Sequence, residues 1–212
     1  GGLVADGMGG HNAGEVASKM AVELIKSEIM DGFSPELDYV EFSEVLRRSL
    51  VFANEEIYRK SKSDDCEHGM GTTATAAFVY REKLITANIG DSRVYTVTKD
   101  SIQQITRDHS FVEELVERGQ ISPETAKTHP QKHYITRAIG TDAFVKADIL
   151  IQAYKGETVV ICSDGLTNLV SDEQIKDIIN ENEDYEQAAS LLVELANKKG
   201  GTDNITCIVF DV

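Results

Sequence analysis

Apolar and polar positions follow one another along this chain in two rhythms. Between 12 and about 30, Val16, Ala17, Met20, Ala21, Leu24 and Ile29 recur at the spacing of one helix face, and Asp31-Gly32 ends the pattern. From about 38 to 60, Val45, Leu46, Leu50, Ala53 and Ile57 repeat it. Two such helices in succession predict an antiparallel pair covering one face of a larger element. The polar stretch 61–71 reads as a loop. Beyond it the rhythm shortens, and 72–80, 83–89 and 92–98 read as strands, with a fourth at 102–106. Arg81-Glu82 and Gly90-Asp91 separate the first three, close enough for antiparallel neighbours. Residues 109–129 turn charged, with a helix at 111–118 and another opening at Ser122-Pro123, where proline suits the first helical position. Strand character returns at 134–139, then at 147–153 and 158–162. Ser171-Asp172-Glu173-Gln174 is a capping box opening a helix to about 180. A further helix, 185–198, stops at Gly200-Gly201, and 205–212 is the last strand. No repeat or linker interrupts the order, so the pattern predicts one α+β domain over 1–212.

Composition narrows the function. At 212 residues the chain can bury roughly 70% of its unfolded surface in one core. No apolar run approaches the ~20 residues that cross a bilayer. With 36 acidic against 21 basic residues the net charge is −15, which disfavours nucleic acid and anionic membranes and favours divalent cations. Cys66, Cys162 and Cys207 are odd in number and widely spaced, so neither a disulfide framework nor a zinc pair is indicated. Buried free thiols in a reducing cytoplasm fit best. Almost no strand precedes Asp6, and the expectation is that a natural N-terminal segment is missing.

Four carboxylates share one local setting. Asp6 follows Leu3-Val4-Ala5, Asp91 follows the run 84–90, Asp164 follows 158–163, and Asp203-Asn204 precedes the last strand. Each alone is more often a turn residue. Strand-end turns can gather at one edge of a sheet, and four carboxylates there would make a metal site. Oxygen-only donors favour Mg²⁺ or Mn²⁺ over zinc, and the residues are not packed into one calcium-binding loop. A phosphate-binding P-loop, a Gly-x-Ser-x-Gly elbow and a cysteine followed six residues on by arginine are all absent from the sequence. The rival is a nucleotide fingerprint at Gly7-x-Gly9. Asn12 occupies its third glycine position, and Asp6 would aim negative charge at the pyrophosphate.

Six blocks then occur in order: Asp6-Gly7-Met8-Gly9-Gly10-His11, Gly69-Met70-Gly71-Thr72-Thr73, Ile89-Gly90-Asp91-Ser92-Arg93, Thr106-Arg107-Asp108-His109-Ser110, Ser163-Asp164-Gly165-Leu166 and Asp203-Asn204-Ile205-Thr206. Together they resemble the bacterial metal-dependent Ser/Thr protein phosphatases, the PPM or type 2C family. The resemblance implies a four-layer αββα sandwich, two antiparallel β-sheets flanked by antiparallel helix pairs, with a flap inserted at about 109–140. It implies that Asp6 bridges two Mn²⁺ or Mg²⁺ ions, that the Gly7 carbonyl binds one, and that Asp164 and Asp203 complete the binuclear centre. Asp91 with Asp164 would hold a third ion; alternatively Asp91 orients a turn or pairs with Arg93.

The implied reaction is hydrolysis of phosphoserine and phosphothreonine by a metal-bridged hydroxide, with no protein nucleophile, in opposition to a Ser/Thr kinase. Eukaryotic members carry histidine after Asp-Gly as the leaving-group acid, and here that position is Met8. His11 reads as structural. His133, beside Lys132, resembles a flap histidine and is the candidate for substrate contact or proton donation, with a solvated flap histidine as the alternative. The family's phosphate-anchoring arginine and N-terminal acidic motif would precede residue 1. The expected partners are phosphorylated proteins and a cognate Ser/Thr kinase, with no nucleic acid or membrane, and the protein is expected to be a cytoplasmic monomer. A phosphoprotein-binding module without turnover is the reading from a different class; loss of a metal aspartate would favour it, and none is lost.

Overall fold

Alternate residues of the central strands face opposite ways, and both faces are buried. The computed structural model describes residues 1–9, 11–63 and 69–212, the side chains of His11 and Asn12 excepted. Cys66 and the His11 side chain therefore lie outside the described residues. One antiparallel sheet takes the order β1 (Gly2–Val4), β4 (Ala74–Tyr80), β5 (Lys83–Ile89), β8 (Asp148–Ala153). A second takes the order β10 (Cys207–Phe210), β9 (Thr158–Cys162), β6 (Arg93–Val97), β7 (Ile102–Gln104). A short ladder joins β2 (Gly7–Met8) to β3 (Gly71–Thr72).

Three apolar clusters fix the layers. Ala17, Ala21 and Ile25 of α1 (His11–Gly32) and Leu46, Leu50 and Ile57 of α2 (Tyr39–Ser63) pack on Ala74, Ala76, Ile85, Ala87 and Ile89 of the first sheet. The intervening positions, Val4, Ala77 and Leu84, meet Val94, Val159 and Ile161 of the second sheet. The outer face of that sheet, with Tyr95, Val97, Val160 and Cys162, packs on Leu166, Ile175 and Leu192. Those three residues belong to α5 (Asp164–Thr167), α6 (Asp172–Glu181) and α7 (Tyr185–Lys198). The layers run helix, sheet, sheet, helix, as expected. Each fully buried Leu or Ile contributes about 1.5–3 kcal/mol. Among the described residues no helix is long and apolar enough to cross a membrane.

Several expected elements differ. The run 72–80 is two strands, because Thr73 leaves the ladder to bond Asp6. The run 134–139 is not a strand: it makes single bridges to two different partners, Ser110 with Ile135 and Thr72 with Ile139, so no ladder can propagate. The short helix α5 begins at Asp164, where a strand-end turn was expected, and the last strand covers only Cys207–Phe210. The segment between β7 and β8 carries α3 (Phe111–Glu117) and α4 (Pro123–Lys127), both capped by serine, with proline at the start of α4.

Candidate metal centre

The first carboxylate is placed by a ladder that changes partners. Strand β1 pairs with β4 and β2 with β3 in one continuous register, which sets Asp6 opposite Thr73 at the break. The Thr73 backbone N donates to the Asp6 carbonyl at 2.8 Å, and the Asp6 N donates to Thr73 Oγ1 at 2.9 Å. A hydroxyl replaces one ladder carbonyl there, at the residue whose side chain lines the cavity. Gly7 follows because β2 lies directly on α1: a Cβ there would overlap the Gly14 carbonyl. Gly9, at φ +109°, instead approaches the backbone of Gly69 and Met70.

Asp91 sits on the β5–β6 turn and is 8% exposed. Arg93 is not its partner. The Arg93 guanidinium forks onto Asp108, with Nε at 3.0 Å from both carboxylate oxygens and Nη2 at 2.7 Å from Oδ2, while Nη1 donates to the Tyr95 hydroxyl at 3.0 Å. Burial opposes the Arg93 charge, but the Asp108 carboxylate outweighs it and keeps the guanidinium firmly protonated. That pair anchors the turn and leaves the Asp91 carboxylate free of a fork.

Asp164 and Asp203 meet across two chain segments stitched by Ser163. Its Oγ donates to the Asn204 carbonyl and accepts from the Thr206 N, both at 3.1 Å. Gly165 allows the approach, since a Cβ there would overlap the Asn204 carbonyl. Asn168 Nδ2 donates to Asp164 Oδ2 at 2.9 Å and fixes that carboxylate from the C-cap of α5. Asp203 Oδ1 accepts from the Asn204 N at 2.8 Å.

All of these positions line one cavity of about 190 Å³, walled by Asp6, Gly7, Met8, Thr73, Asp91, His133, Ile135, Asp164 and Asp203. Every expected metal ligand and the expected flap histidine are brought together there. Neither Lys nor Arg is among these lining residues, and the electrostatics record it. Burial, then the facing Asp164 and the charges of Asp203 and Asp91, push the Asp6 carboxyl up to about 7. Burial, then Asp164 and Asp108, raise Asp91 to about 7 against a backbone N–H and Arg93. Asp6 and Asp164 face each other within hydrogen-bond reach, though among the described residues no three His, Cys, Asp or Glu side chains stand ready to hold one ion together. An oxygen-only donor set with uncompensated charge fits hard divalent cations that keep part of their water shell.

Sequence reasoning did not single out Thr73 or Ile135, which also line the cavity. Thr73 stands in the second motif block, but nothing local distinguishes its hydroxyl from that of an ordinary strand threonine. Met8 stands at the wall where the eukaryotic members' histidine was expected to be replaced. The two expected strand cysteines are free thiols, Cys162 fully buried and Cys207 partly so. Burial pushes the Cys207 thiol up to about 12, which suits packing rather than reactivity.

Two antiparallel sheets between helical layers, with an all-carboxylate cavity where strand ends meet, place the chain in a definite class: it belongs to the protein phosphatase 2C family, whose model matches residues 2–205. Among individual relatives it is 38% identical over 210 residues to the serine/threonine phosphatase stp of Listeria welshimeri, covering 99% of this chain and 83% of that protein. It is 38% identical over 206 residues to the protein phosphatase PhpP of Streptococcus pneumoniae, covering 96% and 82%. Its fold matches the crystal structure of the serine/threonine phosphatase Stp1 from Staphylococcus aureus with a TM-score of 0.93 at 37% identity, over 99% of this chain and 82% of that one. It also matches the catalytic domain of the serine/threonine phosphatase PstP in complex with two manganese ions, with a TM-score of 0.83 at 34% identity, over 99% and 86%.

Proposed function

We propose that this chain is a metal-dependent protein phosphatase that hydrolyses phosphoserine and phosphothreonine at the carboxylate cavity, with two Mn²⁺ or Mg²⁺ ions. One observation carries the reading: four aspartates from four chain segments wall a single cavity, with neither lysine nor arginine among its described lining residues, in a member of the protein phosphatase 2C family. The two manganese ions of the related PstP structure support the count of ions. Asp6 would bridge the pair, the Gly7 carbonyl would bind one ion, and Asp164 and Asp203 would complete the set; Asp91 with Asp164 would hold a third.

Such ions, when bound, lower the pKa of water and offset charge developing on the phosphoryl group. The chain's own residues do the positioning. Thr73 holds the backbone of Asp6 at both its N–H and its carbonyl, and Asn168 holds one oxygen of Asp164. His133 at the wall is available to contact the phosphate or to give a proton to the departing seryl or threonyl oxygen. Residues 109–140 act as a flap carrying that histidine. The partners proposed are phosphorylated proteins, in opposition to a Ser/Thr kinase, for a monomer in the cytoplasm, with 1–212 as one catalytic domain.

The test is phosphothreonine-peptide hydrolysis by the full-length protein in Mn²⁺, with and without a chelator, beside Asp164→Asn. Activity should vanish with either change. Activity that survives chelation or the substitution overturns the mechanism. Phosphopeptide binding in calorimetry without any hydrolysis would mark a binding module instead.

A further inference from the structure

Behind the Asp91 turn lies a histidine whose polar groups all point to structural partners. His109 is 4% exposed. Its backbone N donates to the Gly90 carbonyl at 2.9 Å, and its Nδ1 accepts from the Gly90 N at 3.1 Å. Both backbone polar groups of the residue preceding Asp91 therefore bond to His109, the carbonyl also accepting from Asn88 Nδ2 at 3.2 Å. Because Nδ1 accepts, the ring proton sits on Nε2, which donates to Asp148 Oδ2 at 3.0 Å. Asp148 Oδ1 accepts from Arg137 Nη1 at 3.0 Å. Arg137 Nη1 also lies 3.2 Å from Nε2, but two donors make no bond. Finally, the His109 carbonyl accepts from the Thr136 N at 2.8 Å.

These bonds sort into two sets. The N–H and Nδ1 face the Asp91 turn. The carbonyl and Nε2 face Thr136 and, through Asp148, Arg137, which follow His133 by three and four residues. The turn packs closely on its other side as well: Gly90 has φ +111°, and a Cβ there would stand 2.5 Å from the Thr73 side chain. His109 is thus the shared partner of the returning arm and of the peptide that precedes Asp91.

We propose that His109 is a positioning residue that ties the orientation of Asp91 to the returning arm of the 109–140 segment, so that cation affinity at Asp91 and the placement of His133 are set together. This rests on reading the cavity as a metal centre. The two ring nitrogens do separate jobs, and two substitutions divide them. In His109→Asn the side-chain oxygen still accepts from the Gly90 N–H but nothing reaches Asp148. In His109→Gln the amide reaches toward Asp148 but the acceptor for Gly90 is gone.

Mn²⁺ is titrated calorimetrically into the full-length wild type, His109→Asn, His109→Gln and Asp91→Asn, with folding checked by circular dichroism and kcat and KM measured on a phosphothreonine peptide. Asp91→Asn should remove the weakest Mn²⁺-binding step. His109→Gln should weaken that step about 10-fold, while His109→Asn keeps it within about threefold of wild type and raises KM instead. Asp148→Ala, which leaves both Gly90 bonds in place, should raise KM without moving Mn²⁺ binding, and it decides the matter should the His109 variants fail to fold. Equal loss of Mn²⁺ binding in the Asn and Gln variants, or unchanged binding and KM in both, overturns the proposal, as does an Mn²⁺ shift in Asp148→Ala. A wild type that binds no Mn²⁺ refutes the metal reading itself. A wild type that binds Mn²⁺ without hydrolysis refutes only the phosphatase reading.

Discussion

At the scale of single residues, the site depends as much on what is absent from a side chain as on the carboxylates. Gly165 lets the Asp164 and Asp203 segments touch backbone to backbone. Gly165→Ala should push them apart, at a cost of about 1–3 kcal/mol for overpacking. A lower denaturant midpoint together with weaker Mn²⁺ binding is the expected result, and an unchanged midpoint would contradict the packing account. His133 is an exposed member of the cavity wall, and its role divides cleanly in kinetics. His133→Ala should lower kcat on the order of 10²-fold if the ring gives a proton to the leaving oxygen, and raise KM alone if it only contacts substrate. Mn²⁺ affinity should not move in either case. Asp91 shows how neighbours in sequence mislead: Arg93 lies two residues away, yet its fork is taken by Asp108, fifteen residues off.

Elements with strong local signals were legible, and those made by partners were not. The capping box at Ser171 is present, with the Gln174 N donating to Ser171 Oγ and the Ser171 N to Gln174 Oε1. Ser171→Ala should cost about 1 kcal/mol, which is roughly 2–4 °C in Tm for a chain of this size; thermal unfolding measures it. The alternation that marks β4 through β9 was equally plain. By contrast, 134–139 carries strand-like residues, but its long-range backbone hydrogen bonds go to Thr72, His109 and Phe111, so it meets β3 at one residue only and builds no ladder. The break at Thr73 and the one-turn helix at Asp164 were invisible for the same reason. Each is imposed by a segment distant in sequence.

At the scale of the molecule, the fold gathers like charges and holds them at an energetic disadvantage. Burial and neighbouring carboxylates hold Asp6 and Asp91 up at about 7 in the folded protein, well above the ordinary carboxylate value of 3.8. The native state therefore binds their protons more tightly than the unfolded chain does. Their contribution to stability is full below about pH 4 and is lost as pH rises through 7. A divalent cation competes with those same protons. The rise in Tm produced by Mn²⁺ should consequently be larger at pH 8 than at pH 6, measured by thermal unfolding with and without the ion. A larger rise at pH 6 would contradict the assignment of these carboxylates to the metal.

What the sequence determined by itself was periodic or chemical in kind: helical and strand rhythms, capping signals, the oxygen-only character of the donors, and Asp6-Gly7 as a turn beside a strand end. These depend on residues a few positions apart. Only the tertiary structure decided which carboxylates share a wall, because convergence is a property of register and sheet order. Asp6 lines the cavity at the point where the Thr73 hydroxyl takes a ladder carbonyl's place, at the switch from β4 to β3. Asp91 is aimed by His109, and His109 is braced by Asp148 on the adjoining strand. Those are pairings across the fold, and no local pattern encodes them.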